Sequence, residues 1–363
     1  MLPSSTIVSI EARALSVPLR DPFVIASARI EMTQSVLVTV TLSSGETGIG
    51  EAAALPPVTR EDQAAVLLAL RAAEGPLVGL ALSIEDGARA ALDEALGHSP
   101  VARAGVEMAI LDALCKRDGI PLRVALGAAT GMTTTTLVTD ITIPILPEAR
   151  MVTLAREWRG RGFTCFKVKI GKDEDADFRA LSAIHGAIPD ATFRVDANAA
   201  FSAAQAIRLA RAIEGRGLAV ECYEQPCAAQ DLDAMAEVAA ALTTPVIADE
   251  SVANDGDLAR VIAKRAADGI NLKLMKSGGP LAAYALGKRA REAGLELMTG
   301  GMVETRLGMT AAAHVVAALG GVQYVDLDTA WLLTEDPFEG GYEADGPRYT
   351  LLDRAGLGIA LRR

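Results

Sequence analysis

The sequence predicts an α/β protein: a modified (β/α)7β TIM-like barrel behind an α+β N-terminal capping domain. Two observations carry that expectation. From about Thr133 onward, eight short apolar runs alternate with amphipathic helical stretches. Near-continuous apolar runs suit parallel strands covered by helices. Five of these runs end in a charged residue, at Lys169, Asp196, Glu224, Asp249 and Lys273, with gaps of 27, 28, 25 and 24 residues. Each gap is the length of one strand-plus-helix unit.

The capping domain is expected over residues 1–127. β-rich alternation marks residues 7–18 and 35–42, and the turn Ser43-Ser44-Gly45-Glu46 leads to a third strand near 48–51. Helical stretches follow at 60–71, 84–96 and 102–118. In the last, Val106, Ala109, Ile110, Ala113 and Leu114 keep helical spacing, and Gly119-Ile120-Pro121 ends it. The barrel is expected over 128–337, with strands at 135–143, 165–170, 192–196, 219–224, 246–249, 269–273, 295–298 and 323–327. Helical runs such as 203–213 and 281–293 separate them. Eight strands favour closure over an open sheet. No Gly-x-Gly-x-x-Gly follows the first strand, which counts against dinucleotide binding. The tail, 338–363, is expected to return to the capping domain.

Half of the residues are hydrophobic but only 4% are aromatic, so Ala, Leu, Val and Ile build the core. A net charge of −11 disfavours nucleic acid as a partner. No apolar stretch reaches the ~18 residues that span a bilayer. Residues 1–10 lack a basic segment followed by an apolar one, so no signal peptide is expected. Cys115, Cys165, Cys222 and Cys227 lack zinc-type spacing and read as reduced thiols of a cytoplasmic protein. His98, His185 and His314 sit at no strand end, so no histidine base is assigned.

Catalytic groups of parallel barrels cluster where the strands run out. Lys167 and Lys169 share one face of the second strand, by the two-residue period. Buried ammonium groups need carboxylates nearby. Asp196 has Asn198 two residues on, Glu224 precedes the strand-stopping Pro226, and Asp249 ends the fifth strand. Each alone would serve as a helix cap or a surface ion pair. Three in consecutive units repel one another and call for a cation, and all-oxygen ligation favours Mg2+. Lys273 shares parity with Asn271 on the sixth strand, opposite Lys169 on the second; Lys276 reads as a loop residue. Asp326 and Asp328, at the end of the eighth strand, lie too far round the ring to join that cluster easily. They suggest a receptor for a cationic group such as an ammonium, local ion pairing being the alternative.

These motifs resemble the enolase superfamily over nearly the whole chain. The Lys-x-Lys of Lys167 and Lys169 and the Asn-x-Lys of Asn271 and Lys273 are similar to its muconate-lactonizing-enzyme subgroup. The mandelate racemase subgroup would carry a His–Asp pair on strands six and seven. Asp326-Leu327-Asp328 looks like the Asp-x-Asp of dipeptide epimerases. The resemblance implies that Asp196, Glu224 and Asp249 bind Mg2+, that Lys169 and Lys273 are the acid/base pair, and that Lys167 assists near the substrate carboxylate. It implies that Asp326 and Asp328 hold the α-ammonium. The implied activity is that of an isomerase, inverting the α-carbon of the C-terminal residue of an L,L-dipeptide by proton transfer between two lysines through an enediolate. A divalent cation stabilises the charge of that species. The basic lysine has to be neutral, and a nearby cation and second ammonium should lower its pKa.

Some Ala-Glu epimerases carry a side-chain-binding arginine in the N-terminal loop. Ala28 aligns there, with Arg29 one step off. Ile25, Ala26 and Leu55-Pro56-Pro57 suggest an apolar pocket, with Ile25 and Met302 as substrate contacts and a hydrophobic second residue preferred. N-succinylamino acid racemisation, o-succinylbenzoate synthesis and muconate cycloisomerisation are the rival reactions, and none needs an ammonium receptor. A non-catalytic metal- or ligand-binding barrel gives the paired lysines no purpose. The partner implied is a small dipeptide, and self-association stays open.

Overall fold

The structure is a computed structural model and describes residues 5–84, 88–127 and 135–362. In the capping domain, strands Ser5–Leu15, Gln34–Leu42 and Thr47–Ala54 form an antiparallel sheet, with Ala81–Leu82 at its edge. Helices Gln63–Leu77 and Pro100–Asp118 cover it, and Arg89–Leu96 packs against both of them. The second begins later than expected, and residues 85–87 lie outside the described ones. Pro100–Asp118 lies against Thr47–Ala54 at a distance only glycine allows. A Cβ on Gly50 would sit 2.1 Å from the Gly105 carbonyl oxygen. A hairpin of Pro18–Val24 and Arg29–Met32 was not expected. Its register slips between Pro18 and Phe23, and Pro22 breaks the two-residue pattern that would have announced it.

Eight parallel strands follow in chain order: Ile141–Ile143, Cys165–Lys169, Thr192–Asp196, Ala219–Glu224, Val246–Ala248, Gly269–Lys273, Glu296–Gly300 and Tyr324–Val325. Asp140 N donates to Val325 O (3.1 Å), bringing the eighth strand back to the first. Lys169 pairs with Asp196 and Asp196 with Glu224, so three charged residues share one row of the register. The expected strand over 135–143 divides. Thr136–Val138 pairs with Arg348–Leu351 outside the barrel, and only Ile141–Ile143 enters it. Between them Thr139 N bonds Pro347 O, so the chain turns there. The eighth strand is short, and Asp326 and Asp328 follow it rather than belong to it.

The tail pairs Phe338–Gly340 with Ile359–Leu361 and Tyr342–Asp345 with Arg348–Leu351. It also reaches the capping domain: Leu122 N donates to Gly356 O (2.9 Å), and Leu357 N donates to Asp112 Oδ1 (2.8 Å). Among the described residues, no helix is long and apolar enough to cross a membrane.

The short helix Leu122–Gly127 packs on barrel helix Arg306–Leu319. At that joint Arg123 N donates to Nδ1 of the fully buried His314 (3.0 Å). Burial, helped by the Arg123 charge, pushes the His314 imidazole from 6.5 down to about 3. The folded chain therefore binds fewer protons than the unfolded chain between these values. The contribution is complete above pH 6.5 and is lost as pH falls towards 3. Acidification to about pH 5 should cost on the order of 2 kcal/mol through this residue. In His314→Asn the acid limb of unfolding free energy against pH should be shallower by that amount. Equal slopes in parent and variant would refute the assignment.

Candidate active site

The barrel strands bring their charged ends together at one mouth. Lys167, Lys169, Asp196, Glu224, Asp249, Lys273, Asp326 and Asp328 are all buried there. A cavity of about 30 Å³ is lined by Lys167, Lys169, Lys273, Asp326, Asp328, Ile25 and Met302, together with Phe23, Leu55 and Val58. A larger cavity, about 580 Å³, lies elsewhere, between residues 58–61 and the loops after strands four and five; of the site's lysines only Lys276 borders it.

Lysines stand between the carboxylates. Lys167 Nζ lies 2.6 Å from Glu224 Oε2, 2.7 Å from Asp326 Oδ2 and 3.3 Å from Asp196 Oδ2. Lys169 Nζ pairs with Asp196 Oδ2 and sits 5.9 Å from the centre of the Phe23 ring. Lys273 Nζ lies 2.7 Å from Asp249 Oδ2. Asn271 Nδ2 donates to Glu224 Oε1 (2.8 Å). Among the described residues, the three carboxylates that can each bring one oxygen within 4.8 Å of the others are Asp140, Asp326 and Asp328. Asp196, Glu224 and Asp249 are separated by the ammonium groups between them.

Burial raises every carboxyl here, and the lysines decide the outcome. Lys169 and Lys167 outweigh burial at Asp196, and Lys273 and Lys276 do so at Asp249, so both are held below the usual range. Glu224 stays raised by burial and by Asp196. Burial and Asp249 push Glu250 up to about 7. Burial tends to lower Lys273, but Asp249 and Glu224 prevail and hold it above the ordinary lysine value. That is opposite to the lowering expected of a basic lysine; the Asp249 ion pair is the physical reason.

The two aspartates after strand eight differ. Asp326, beside Lys167, is held at about 2 despite burial. Asp328 is pushed up to about 7 by burial and by Asp326. Asp328 Oδ2 accepts from Thr142 N (2.5 Å), and its Oδ1 is buried without a partner. Asp140 Oδ1 is unpartnered too, while its Oδ2 accepts from Arg194 Nη1 (2.8 Å). The hairpin turns Ile25 inward, whereas Arg29 is exposed and ion-paired with Glu31 (3.2 Å).

Three side chains contribute in roles that the sequence did not assign to them. Lys276 belongs to a helical turn, Leu274–Ser277, rather than a loop, and its Nζ reaches Asp249 Oδ1 (2.5 Å), the Asp249 carbonyl and Asn271 O. Its spacing of three from Lys273, on a helical turn, is the signal that would have revealed it. Gln225 Oε1 accepts from Asp249 N (2.8 Å) and Ser251 N (3.1 Å), locking the loops after strands four and five. Asn198 N donates to Asp196 Oδ1 (2.9 Å) and Nδ2 to Glu250 Oε1 (3.2 Å). Both Gln225 and Asn198 adopt positive φ, 35° and 42°.

The donor set fits a hard divalent cation. Three fully buried carboxylates stand on consecutive strands, and the buried oxygens Asn198 Oδ1, Asn271 Oδ1 and Glu250 Oε2 beside them lack hydrogen bonds. All are oxygen ligands of the kind Mg2+ takes.

Residues 7–127 match the family model of the mandelate racemase/muconate lactonizing enzyme N-terminal domain, and residues 150–363 that of the enolase C-terminal domain-like family. The L-Ala-D/L-amino acid epimerase of Populus trichocarpa is 38% identical over 95% of this chain and 82% of its own length. The aromatic dipeptide epimerase of Herpetosiphon aurantiacus is 37% identical over 98% and 99%. The structure of a dipeptide epimerase from Enterococcus faecalis, solved with Mg and L-Leu-L-Tyr, superposes with a TM-score of 0.92 at 31% identity, covering 98% of this chain and 99% of that one. On the matched domains, this chain belongs to the mandelate racemase/muconate lactonizing enzyme family of the enolase superfamily.

Proposed function

We propose that the protein is a Mg2+-dependent dipeptide epimerase, inverting the α-carbon of the C-terminal residue of an L,L-dipeptide. One observation carries this: a single cavity is lined by three lysines, Lys167 and Lys169 on one strand and Lys273 on the opposite one, with two aspartates and an apolar wall. The similarity to dipeptide epimerases along nearly the full chain supports it. Four unpaired cysteines are in keeping with a reducing cytoplasm.

Asp196, Glu224 and Asp249 would hold the ion. When bound, it supplies positive charge at the substrate carboxylate and takes up the Asp249 charge that otherwise keeps Lys273 protonated. Lys169 and Lys273 approach the α-carbon from opposite faces; one removes its proton and the other, protonated, returns one to the far face. Lys167 lends positive charge beside the developing enediolate. Asp326 and Asp328 receive the α-ammonium, whose hydrogens suit the unpartnered Asp328 Oδ1. N-succinylated substrates have no such group to offer. Ile25, Met302, Leu55 and Val58 favour a hydrophobic second side chain, and Arg29 faces away from the cavity's lining.

With Mg2+ and L-Ala-L-Phe in D2O, deuterium should appear at the α-carbon of the second residue. EDTA should stop incorporation and added Mg2+ restore it. No exchange with any L,L-dipeptide sinks the epimerase assignment. Lys169→Ala and Lys273→Ala should each lower epimerisation by about 10²–10⁴-fold; a folded variant working at the parent rate rules out two bases. Asp328→Asn should lower kcat/KM by roughly 10–100-fold, mainly through KM. An unchanged value removes the ammonium role.

A further inference from the structure

Glu51 lies outside this chemistry, yet its carboxylate is among the most heavily bonded in the molecule. It is fully buried in capping strand Thr47–Ala54 and faces the start of barrel helix Arg306–Leu319. Its Oε1 accepts from Ser35 Oγ (2.6 Å) and Thr305 N (3.0 Å). Its Oε2 accepts from Thr305 Oγ1 (2.6 Å) and Gly308 N (3.0 Å).

Thr305 is the N-cap of that helix, and Gly308 is its third residue. A helix start leaves its first N–H groups without intrahelical acceptors. In a capping box, a Glu at the third position reaches back to the N-cap N–H. Here that position is Gly308, where a Cβ would meet Glu304 Oε2 at 2.1 Å. The missing carboxylate comes instead from Glu51, in the other domain. It satisfies the same N–H and places negative charge at the positive end of the helix.

The segment ending at this cap forms part of the substrate cavity. Gly301 and Met302 line it, and Met302 N donates to Glu304 Oε1 (2.8 Å). Thr329, also in the lining, exchanges hydrogen bonds with both Glu304 N and Glu304 O. The facing wall includes Leu55, four residues beyond Glu51 on the capping chain. Glu51 thus joins the two walls through one side chain. Burial and Glu51 push Glu304 up to about 8, so near neutral pH this pair of neighbours does not bear two full charges.

We infer that Glu51 is a positioning residue: a capping box supplied across the domain boundary that sets the spacing between the capping and barrel walls of the side-chain pocket. This rests on the proposed epimerase activity for its selectivity readout, but not for its structural one. Glu51→Gln keeps the shape but replaces one acceptor oxygen with a donor that opposes the N–H groups of Thr305 and Gly308. The preference for L-Ala-L-Phe over L-Ala-L-Ala, as a ratio of kcat/KM, should fall about tenfold, through KM rather than kcat. Ser35→Ala removes only the bond from the capping side and should lower stability while leaving the ratio unchanged. A folded Glu51→Gln with the parent ratio overturns the inference. If that variant does not fold, Thr305→Val, which deletes the hydroxyl bond from the barrel side, is read the same way. If the parent epimerises neither dipeptide, there is no ratio to read and amide hydrogen exchange alone decides the clasp. The Thr305 and Gly308 amides should exchange at least ~10-fold faster in the variant, relative to residues 312–316 of the same helix. Equal relative rates overturn it.

Discussion

The Lys167 ammonium is the point on which the mouth of the barrel depends. It is 1% exposed and lies within 3.3 Å of carboxylates from strands three and four and from the segment after strand eight. Burial works to lower it, yet Asp326, Glu224 and Asp196 hold it well above the ordinary lysine value. In return it keeps three buried carboxylates from facing one another unscreened. The proposed metal-binding half of the site and the proposed ammonium-binding half are therefore one electrostatic unit. A change of charge in either is felt in the other through this side chain.

What was legible in the sequence followed from strand periodicity. A two-residue period put Lys167 with Lys169 and Asn271 with Lys273 on common faces, and the length of a strand-plus-helix unit set successive charged ends side by side. The barrel order agrees with that reading, and the charged ends are buried together at one mouth. The chain departs from it where neither period holds. Lys276 depends on a helical turn of four residues. Gln225 and Asn198 depend on positive φ, which no pattern of apolar residues announces. Asp140 joins Asp326 and Asp328 only because the first strand breaks at Thr139. The three rim carboxylates were foreseen, but not the intercalation of lysines between them, because that depends on where long side chains extend rather than on where the backbone runs.

The capping domain and the barrel divide the work by stiffness. Parallel strands fix the charged groups, each held by its ladder and by buried ion pairs. The apolar surface comes from less regular chain: the 18–32 hairpin, the 55–58 loop and the 300–305 segment. In the proposed epimerase, side-chain preference would vary by substitution in those segments while the strands keep the charged groups in place.

The bond from Leu357 N to the buried carboxylate of Asp112 ties a helix of the capping domain to residues made much later in synthesis. Asp112 also accepts from Ile49 N (2.9 Å) and Lys116 Nζ (2.7 Å), so it sits where the capping sheet and helix meet. On the ribosome, this N-terminal unit emerges first but lacks its last partner until residue 357 follows. At ~5–20 residues per second that interval is on the order of ten seconds or more. Throughout it, the helix keeps an acceptor that only the distant end of the chain satisfies. The capping domain is thus first to be made and among the last to be finished.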